Sequence, residues 1–131
     1  METTILVCAP EGHVWPLSAS TLATQLRERA TDIRVTDPKQ ENLGGDTYIS
    51  FEFSLNGEIR HANYVEGSQL SLHDGSPSDW AETISWFLNL LPSGAPAIAL
   101  VEANPEGMAT IPSGVDAASV EALLDQLAAG E

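Results

Sequence analysis

The chain has 131 residues, of which 19 are Asp or Glu and 5 are Lys or Arg, so its formal net charge is −14. Because 43% of its residues are hydrophobic, it has the material for a core, which excludes an acidic disordered tail. Its length suits one domain. So strong a negative charge also argues against binding to nucleic acid or to anionic membranes, since both attract Lys and Arg.

The single cysteine, Cys8, excludes an intrachain disulfide, so the chain does not require an oxidising compartment. The first residues have no positive charge before their short apolar run, which makes them a poor match to a secretory signal peptide. No stretch approaches the roughly 18 apolar residues of a membrane span. These features predict a cytoplasmic protein.

The first part of the chain predicts a strand, a helix and a second, shorter strand. Residues 3–9 are β-branched and apolar and predict a buried strand, and residues 11–16 predict a loop. Apolar residues at helical spacing predict a helix over 18–29, with a serine as its cap. A short strand is expected over 32–36, and a polar loop over 39–46.

The clearest local pattern is a hairpin. Residues 47–54 alternate strictly between apolar and polar side chains, and Asn56-Gly57 signals the turn. A two-residue turn would place Phe53 opposite Arg60. A three-residue loop with a bulge would place Phe53 opposite Ile59 instead.

We expect the bulged register of this hairpin. It gives one apolar pair and one opposite-charge pair, Glu52 with an arginine, each worth about 0.2–1 kcal/mol. It also places His61 opposite Phe51 and Asn63 opposite Ile49, so polar groups fall on the apolar face. That is the one local conflict in the hairpin.

A capped helix is predicted in the middle of the chain. Residues 69–73 predict a short strand, and His73-Asp74-Gly75 predicts a turn. Ser76 then stands as the N-cap, a proline occupies the first helical position, and Asp79 supplies the acid of a capping box. Apolar residues at helical spacing continue this helix to about residue 90.

Two strands and a helix follow. Residues 97–101 and 108–111 predict strands, with a turn over 104–107, and Asp116 caps a final helix. Adjacent strand pairs favour a mainly antiparallel sheet. The sequence therefore predicts that residues 1–131 form a single α+β domain, with about three helices packed on one side of the sheet.

The charge is distributed unevenly along the chain. Residues 1–60 hold all the basic residues and nine acids, whereas residues 61–131 hold ten acids and neither Lys nor Arg. The carboxylates of the second half must be solvated, paired with the first half, or offered to something outside the chain. Solvation alone would serve solubility. The absence of interspersed Lys favours a surface for a basic protein partner.

Catalytic and metal-binding motifs are absent from the sequence. His13, His61 and His73 lack the spacing of metal ligands on a helix, and Cys8 has no cysteine partner. The serines fall at caps and turns, outside any nucleophile motif. We therefore predict no catalytic residue, no metal and no cofactor.

The tryptophans are more informative. Trp80 falls on the apolar arc of its helix and is predicted to lie in the core. Trp86 lies about 100° outside that arc, so it either packs on a neighbouring element or is exposed among acids, a composition typical of a recognition hot spot. Trp15, on a loop, is a similar candidate.

Three features together resemble small immunity proteins of bacterial toxin systems. These features are an N-terminal strand and helix, a hairpin entered through Leu43-Gly44-Gly45-Asp46, and a Trp-containing helix that runs into Leu91-Pro92-Ser93-Gly94-Ala95-Pro96 and a strand. The likeness covers residues 3–102. It implies stoichiometric blockade of a cognate toxin, and many such toxins are nucleases with basic clefts.

The order of elements from residue 18 onward also looks like that of type III secretion chaperones. Proteins of that family are acidic homodimers that hold a segment of an effector. The resemblance implies that the helix at 77–91 is the dimer contact. The predicted strand at residues 3–9 departs from the family's pattern.

The sequence thus predicts a non-catalytic domain that binds a basic protein, with Trp86 as an apolar anchor and acids that steer the partner. The expected steering acids are Asp74, Asp79, Glu82, Glu102 and Glu106. The alternative is a chaperone-like homodimer that binds an unfolded segment. A further alternative is a small-ligand-binding protein or enzyme, with His61 and Asn63 as its polar groups near Phe51.

Overall fold

The computed structural model describes residues 3–29, 33–36, 39–40, 47–55, 58–92, 95–102, 104–112 and 114–129. The strands are β1 (Thr3–Cys8), β2 (Arg34–Val35), β3 (Lys39–Gln40), β4 (Thr47–Leu55), β5 (Glu58–Val65), β6 (Gln69–Gly75), β7 (Ala97–Val101) and β8 (Asn104–Ile111). The helices are α1 (Ala19–Arg29), α2 (Pro77–Leu88) and α3 (Ala117–Ala128).

The strands form one antiparallel sheet in the order β2-β4-β5-β6-β1-β7-β8, and β3 also pairs with β4. The first strand lies in the interior of the sheet, between β6 and β7. This confirms the predicted α+β domain with an antiparallel sheet. No helix in the described part of the chain is long and apolar enough to cross a membrane.

One face of the sheet packs against the three helices. Alternate residues of each strand point to this face, as the two-residue period of a strand requires. Trp80 is fully buried there, which confirms its predicted place in the core. The largest fully buried side chains come from both layers: Trp80, Tyr64, Phe87, Ile5, Leu22, Leu26, Ile49, Leu70, Leu72, Ile84, Leu124 and Val7.

The helices begin where their capping residues predict. At α2, the Ser76 hydroxyl accepts a hydrogen bond from the backbone N–H of Asp79 (3.3 Å), and the Asp79 carboxylate accepts one from the N–H of Ser76 (2.9 Å). At α3, the Asp116 carboxylate accepts from the N–H of Ser119 at 2.8 Å. The α2 helix ends at Leu88, slightly before the predicted end.

Three segments predicted as loop or turn are partly or wholly strand. Lys39–Gln40 pairs with β4, His73–Gly75 belongs to β6, and residues 104–107 begin β8. The predictions were wrong because backbone pairing across the sheet overrides local turn propensity. Pro105 is tolerated in β8 because this strand lies at the edge of the sheet, and its pairing with β7 shifts register after Ala99.

The hairpin of β4 and β5 has the two-residue register, so the bulged register was wrong. The core-facing residues Ile49 and Phe51 lie opposite Tyr64 and Ala62, and every one of them is buried. A slip of one residue would turn one strand's apolar set away from the core. Burial of several apolar side chains outweighs single cross-strand pairs of about 0.2–1 kcal/mol. The other pairs include Phe53 with Arg60, Glu52 with His61, and Ser50 with Asn63.

Tyr64 joins the sheet to the loop that precedes α1. Its hydroxyl donates a hydrogen bond to the carbonyl oxygen of Leu17 (2.6 Å) and accepts one from the N–H of Gly67 (3.0 Å). Its ring packs edge-on against Phe87, with the ring centroids 5.5 Å apart. Burial raises the pKa of Tyr64 above its ordinary value, so the hydroxyl stays protonated and able to donate.

We expect Tyr64→Phe to lower the free energy of unfolding by about 1–3 kcal/mol, because a buried carbonyl and a buried N–H lose their partner. Urea unfolding followed by circular dichroism would measure this. Tyr48→Phe is the matched control, since the hydroxyl of the half-buried Tyr48 forms no hydrogen bond with a described residue, and it should change stability by less than about 0.5 kcal/mol. Equal effects of the two variants would contradict the role given to Tyr64.

The hydrogen bond from Ser119 lowers the pKa of Asp116 below its ordinary value. The Asp116 carboxylate therefore stabilises the folded state fully above its unfolded pKa of about 3.9, and this contribution is lost as pH falls through the lower folded pKa. The difference in unfolding free energy between the wild type and Asp116→Ala should be constant near neutral pH and shrink in acid. Urea titrations at a series of pH values would measure it, and a difference that does not change with pH would contradict this cap.

Candidate functional site

Trp86 packs on a neighbouring helix, which is the first of the two predicted alternatives. Its side chain is half-buried on α2, and the Arg29 guanidinium of α1 lies over its ring, 4.8 Å from the ring centroid. The same guanidinium lies 3.5 Å from the Glu82 carboxylate. A stacked cation of this kind stabilises by about 0.5–1 kcal/mol at an exposed site. Arg29 therefore covers the surface that Trp86 would offer to a partner.

Trp15 belongs to the core, so of the two alternatives given for the tryptophans it takes the packed one and is not an exposed binding residue. Only 2% of it is accessible to solvent. Its Nε1–H donates to the carbonyl oxygen of Pro96 at 2.8 Å, and its ring packs edge-on against Phe87. These partners lie far away in the sequence, so the local pattern around Trp15 gives no signal of the contact.

Some of the predicted steering acids are held by contacts within the fold, and others are exposed. The Asp79 carboxylate is held in the capping box of α2, and Glu82 pairs with Arg29. Placement of the Asp74 side chain lies outside the described residues. Glu102 and Glu106 are exposed, one at the end of β7 and the other on β8.

Two further acids, which the sequence reasoning missed, lie on the element packed against β7 and β8. These are Glu121 and Asp125 of α3, a helix that contacts both strands. With Glu102 and Glu106 they form what we call the acidic edge. Its four carboxylates form no ion pair with any described residue. The signal for them was available, because α3 contains neither Lys nor Arg.

The basic residues lie toward the other end of the sheet. Arg27 and Arg29 belong to α1, which packs near β2 and β4, and Arg34 belongs to β2 itself. Arg34 lies 3.6 Å from Glu52, and Arg60 lies 2.6 Å from Glu58, so acids of the first half neutralise them. The ion pairs with arginine therefore lie toward the β2 end of the sheet, whereas the four carboxylates of the acidic edge at the β8 end form none with a described residue.

The face of the sheet that carries no helix, which we call the open face, holds a chain of polar side chains. The Ser50 hydroxyl donates to Asn63 Oδ1 (2.7 Å), and Asn63 Nδ2 lies 3.0 Å from His73 Nε2. Beside them, His61 Nδ1 lies 3.3 Å from the Glu52 carboxylate. The observed register thus moves His61 and Asn63 to the polar face and removes the conflict predicted for the hairpin.

A shallow cleft of about 420 Å³ lies beside this chain. Asn63 stands between the Ser50 hydroxyl and the His73 imidazole, whereas an activated serine needs the base in direct hydrogen-bond reach. The arrangement suits reversible contact with polar groups. The cleft is lined by Arg34, Val35, Thr36, Ser50, Phe51, Glu52, His61, Ala62 and Asn63.

The described residues contain no cluster of three or more His, Cys, Asp or Glu side chains that could hold a metal ion. Cys8 is half-buried, and burial raises the pKa of its thiol. A raised thiol pKa lowers the fraction of reactive thiolate at neutral pH.

Comparison with known proteins finds no relative: no family model, no curated protein and no solved structure matches this chain. The function of the protein has therefore to be inferred from its surface.

We expect Arg29→Ala to expose Trp86 to a small neutral quencher. Trp15 and Trp80 are buried, so acrylamide quenching of the wild-type fluorescence should come mainly from Trp86 and should increase in the variant. Arg27→Ala is the matched control, because it removes the same charge from the same helix, whereas the guanidinium that lies over the ring is that of Arg29. Unchanged quenching in Arg29→Ala would contradict the stacked arrangement.

Proposed function

We propose that this protein is a non-catalytic binding domain that captures a basic protein through the acidic edge. The observation that supports this function is the separation of charge along the sheet. Glu52, Glu58 and Glu82 lie beside arginines within the fold, whereas Glu102, Glu106, Glu121 and Asp125 form no ion pair with a described residue. Carboxylates that serve solubility alone would not need this separation.

The proposed mechanism is electrostatic steering followed by occlusion. A concentration of exposed acids at one end of a sheet sets up a potential that raises association rates with an oppositely charged partner by about 10- to 10³-fold. The acids lie on a helix and on paired strands, so little ordering is needed when the partner arrives. A basic cleft of a toxin, such as the substrate site of a nuclease, is a partner of this chemistry, in keeping with an immunity-type role.

The proposal changes the role first expected for Trp86. Because Arg29 covers its ring, Trp86 is not needed as the anchor, and the acidic edge supplies the recognition. We place the complex in the cytoplasm, where a lone half-buried cysteine stays reduced.

Partner capture from a lysate of the source cell, eluted with a salt gradient, tests the proposal. A specific basic protein should bind at low salt and elute as salt rises, because screening shortens the reach of exposed charges to about 10 Å at 0.1 M. Recovery of no specific basic partner at low salt would count against the proposed function.

Neutralising the acidic edge should slow capture of the recovered partner. We expect the double variant Glu121→Gln with Asp125→Asn to lower the association rate constant by about tenfold at low salt, with a smaller effect at high salt. Stopped-flow mixing would measure it. The matched control is Glu11→Gln with Glu28→Gln, which removes two exposed charges from other elements. Equal losses in both double variants would indicate a general effect of net charge rather than a site.

A further inference from the structure

Three polar side chains on the open face form a hydrogen-bonded chain across three neighbouring strands. Ser50 lies on β4, Asn63 on β5 and His73 on β6, and each of the three is half-buried. The Ser50 hydroxyl oxygen is 2.7 Å from Asn63 Oδ1, and Asn63 Nδ2 is 3.0 Å from His73 Nε2. Partial burial strengthens these hydrogen bonds relative to bonds in open water.

The order of donors and acceptors in this chain follows from the chemistry of its groups. An amide nitrogen can only donate, so His73 Nε2 accepts, and the neutral imidazole carries its hydrogen on Nδ1. An amide oxygen can only accept, so the Ser50 hydroxyl gives its hydrogen to Asn63. Ser50 and Asn63 both line the cleft of the open face. A molecule in the cleft therefore meets the Ser50 oxygen as an acceptor.

Protonation of His73 is incompatible with this order. A charged imidazole carries a hydrogen on both nitrogens, so Nε2–H would then face an N–H of the Asn63 amide. A half-turn of that amide exchanges its oxygen and nitrogen, which are nearly alike in size. Asn63 Oδ1 then accepts from His73 Nε2–H, and Nδ2 donates to the Ser50 oxygen. Both arrangements contain two hydrogen bonds, and the bond from the charged imidazole is stronger than a neutral one.

We infer that His73, Asn63 and Ser50 form a proton-sensitive switch, in which protonation of His73 turns the Asn63 amide over and frees the Ser50 hydroxyl hydrogen for the cleft. The Ser50 hydroxyl thus accepts hydrogen bonds from a molecule in the cleft when His73 is neutral, and donates to it when His73 is charged. Imidazole is the side chain that ordinarily changes its charge between about pH 5 and pH 8. The switch therefore works in the physiological range of pH.

The groups that face His73 from the neighbouring strands permit a positive charge there. The pairing of β5 with β6 places His61 beside His73, and the Glu52 carboxylate of β4 lies 3.3 Å from His61 Nδ1. On β1 the neighbour on the same face is the uncharged Thr4, whose carbonyl oxygen accepts from the N–H of the exposed Glu102. Acids thus flank the two imidazoles, and no described residue of β1 or β5 places Lys or Arg on this face.

Nuclear magnetic resonance of the full chain, labelled with nitrogen-15 and carbon-13 and titrated from about pH 8 to about pH 5, tests the switch. At the alkaline end the ring nitrogens of His73 should show the hydrogen on Nδ1. The side-chain amide protons of Asn63 should then show nuclear Overhauser contacts to the His73 ring. In acid these contacts should pass to the β protons of Ser50, with the same midpoint as the protonation of His73.

Three variants separate the switch from a general effect of pH. In Asn63→Asp, the carboxylate accepts from both neighbours, so His73 should take up its proton at least about one pH unit higher than in the wild type. His73→Gln removes the titrating group, so the contacts of Asn63 should no longer change with pH. His61→Gln is the matched control, because it makes the same replacement at the adjacent imidazole and should leave the change in place. Circular dichroism would confirm that each variant folds.

Contacts of the Asn63 amide that stay on His73 down to about pH 5, or that still pass to Ser50 in His73→Gln, would overturn the inference. A neutral His73 with its hydrogen on Nε2 would also overturn it, because Asn63 would then already have the orientation expected in acid. None of these measurements involves the acidic edge or a basic protein. The switch and the proposed function can therefore fail separately.

Discussion

The position of β1 in the interior of the sheet is the constraint on which the rest of the molecule depends. It pairs with β6 on one side and with β7 on the other, so the first strand joins two blocks that lie far apart in sequence. The block of β7, β8 and α3 is attached to the sheet through this strand. Because that block has no basic residue, its carboxylates come to lie away from the arginines of α1 and β2. The backbone hydrogen bonds of one short apolar strand thus separate the charges.

The helix caps were predicted correctly from the sequence, because they depend on contacts between residues that are close together in the chain. Ser76, Asp79 and Asp116 cap their helices as expected, because each cap bonds to a backbone N–H three residues away. The hairpin register failed for a different reason. It depends on which face meets the helices, and pair energies within the hairpin do not contain that information. The bulged register would have put His61 and Asn63 on the apolar face, and the observed register places both on the polar face instead.

The acidic character of the candidate site could be predicted from the sequence, whereas its position in the fold could not. The absence of Lys and Arg after residue 60 is visible in the sequence, and so is the acidic character of α3. The sequence does not reveal that the fold uses Asp79 for a cap and Glu82 for a contact with Arg29, because each use requires the neighbouring structure. The surroundings of Trp15 and Trp86 could not be predicted for the same reason, since each side chain contacts a residue that lies far away in the sequence.

The two edges of the sheet end in ways that discourage a further strand. At one edge β2 has two residues, and at the other the pairing of β8 is irregular near Pro105. Short strands, shifts in register and proline on an edge are devices by which natural sheets prevent edge-to-edge growth. In the part of the chain that the structure describes, both edges are therefore poorly suited to pairing, and their backbone offers little template for polymerisation. A highly acidic protein of this shape can therefore be abundant without forming fibrils, and its contacts are left to side chains on its faces.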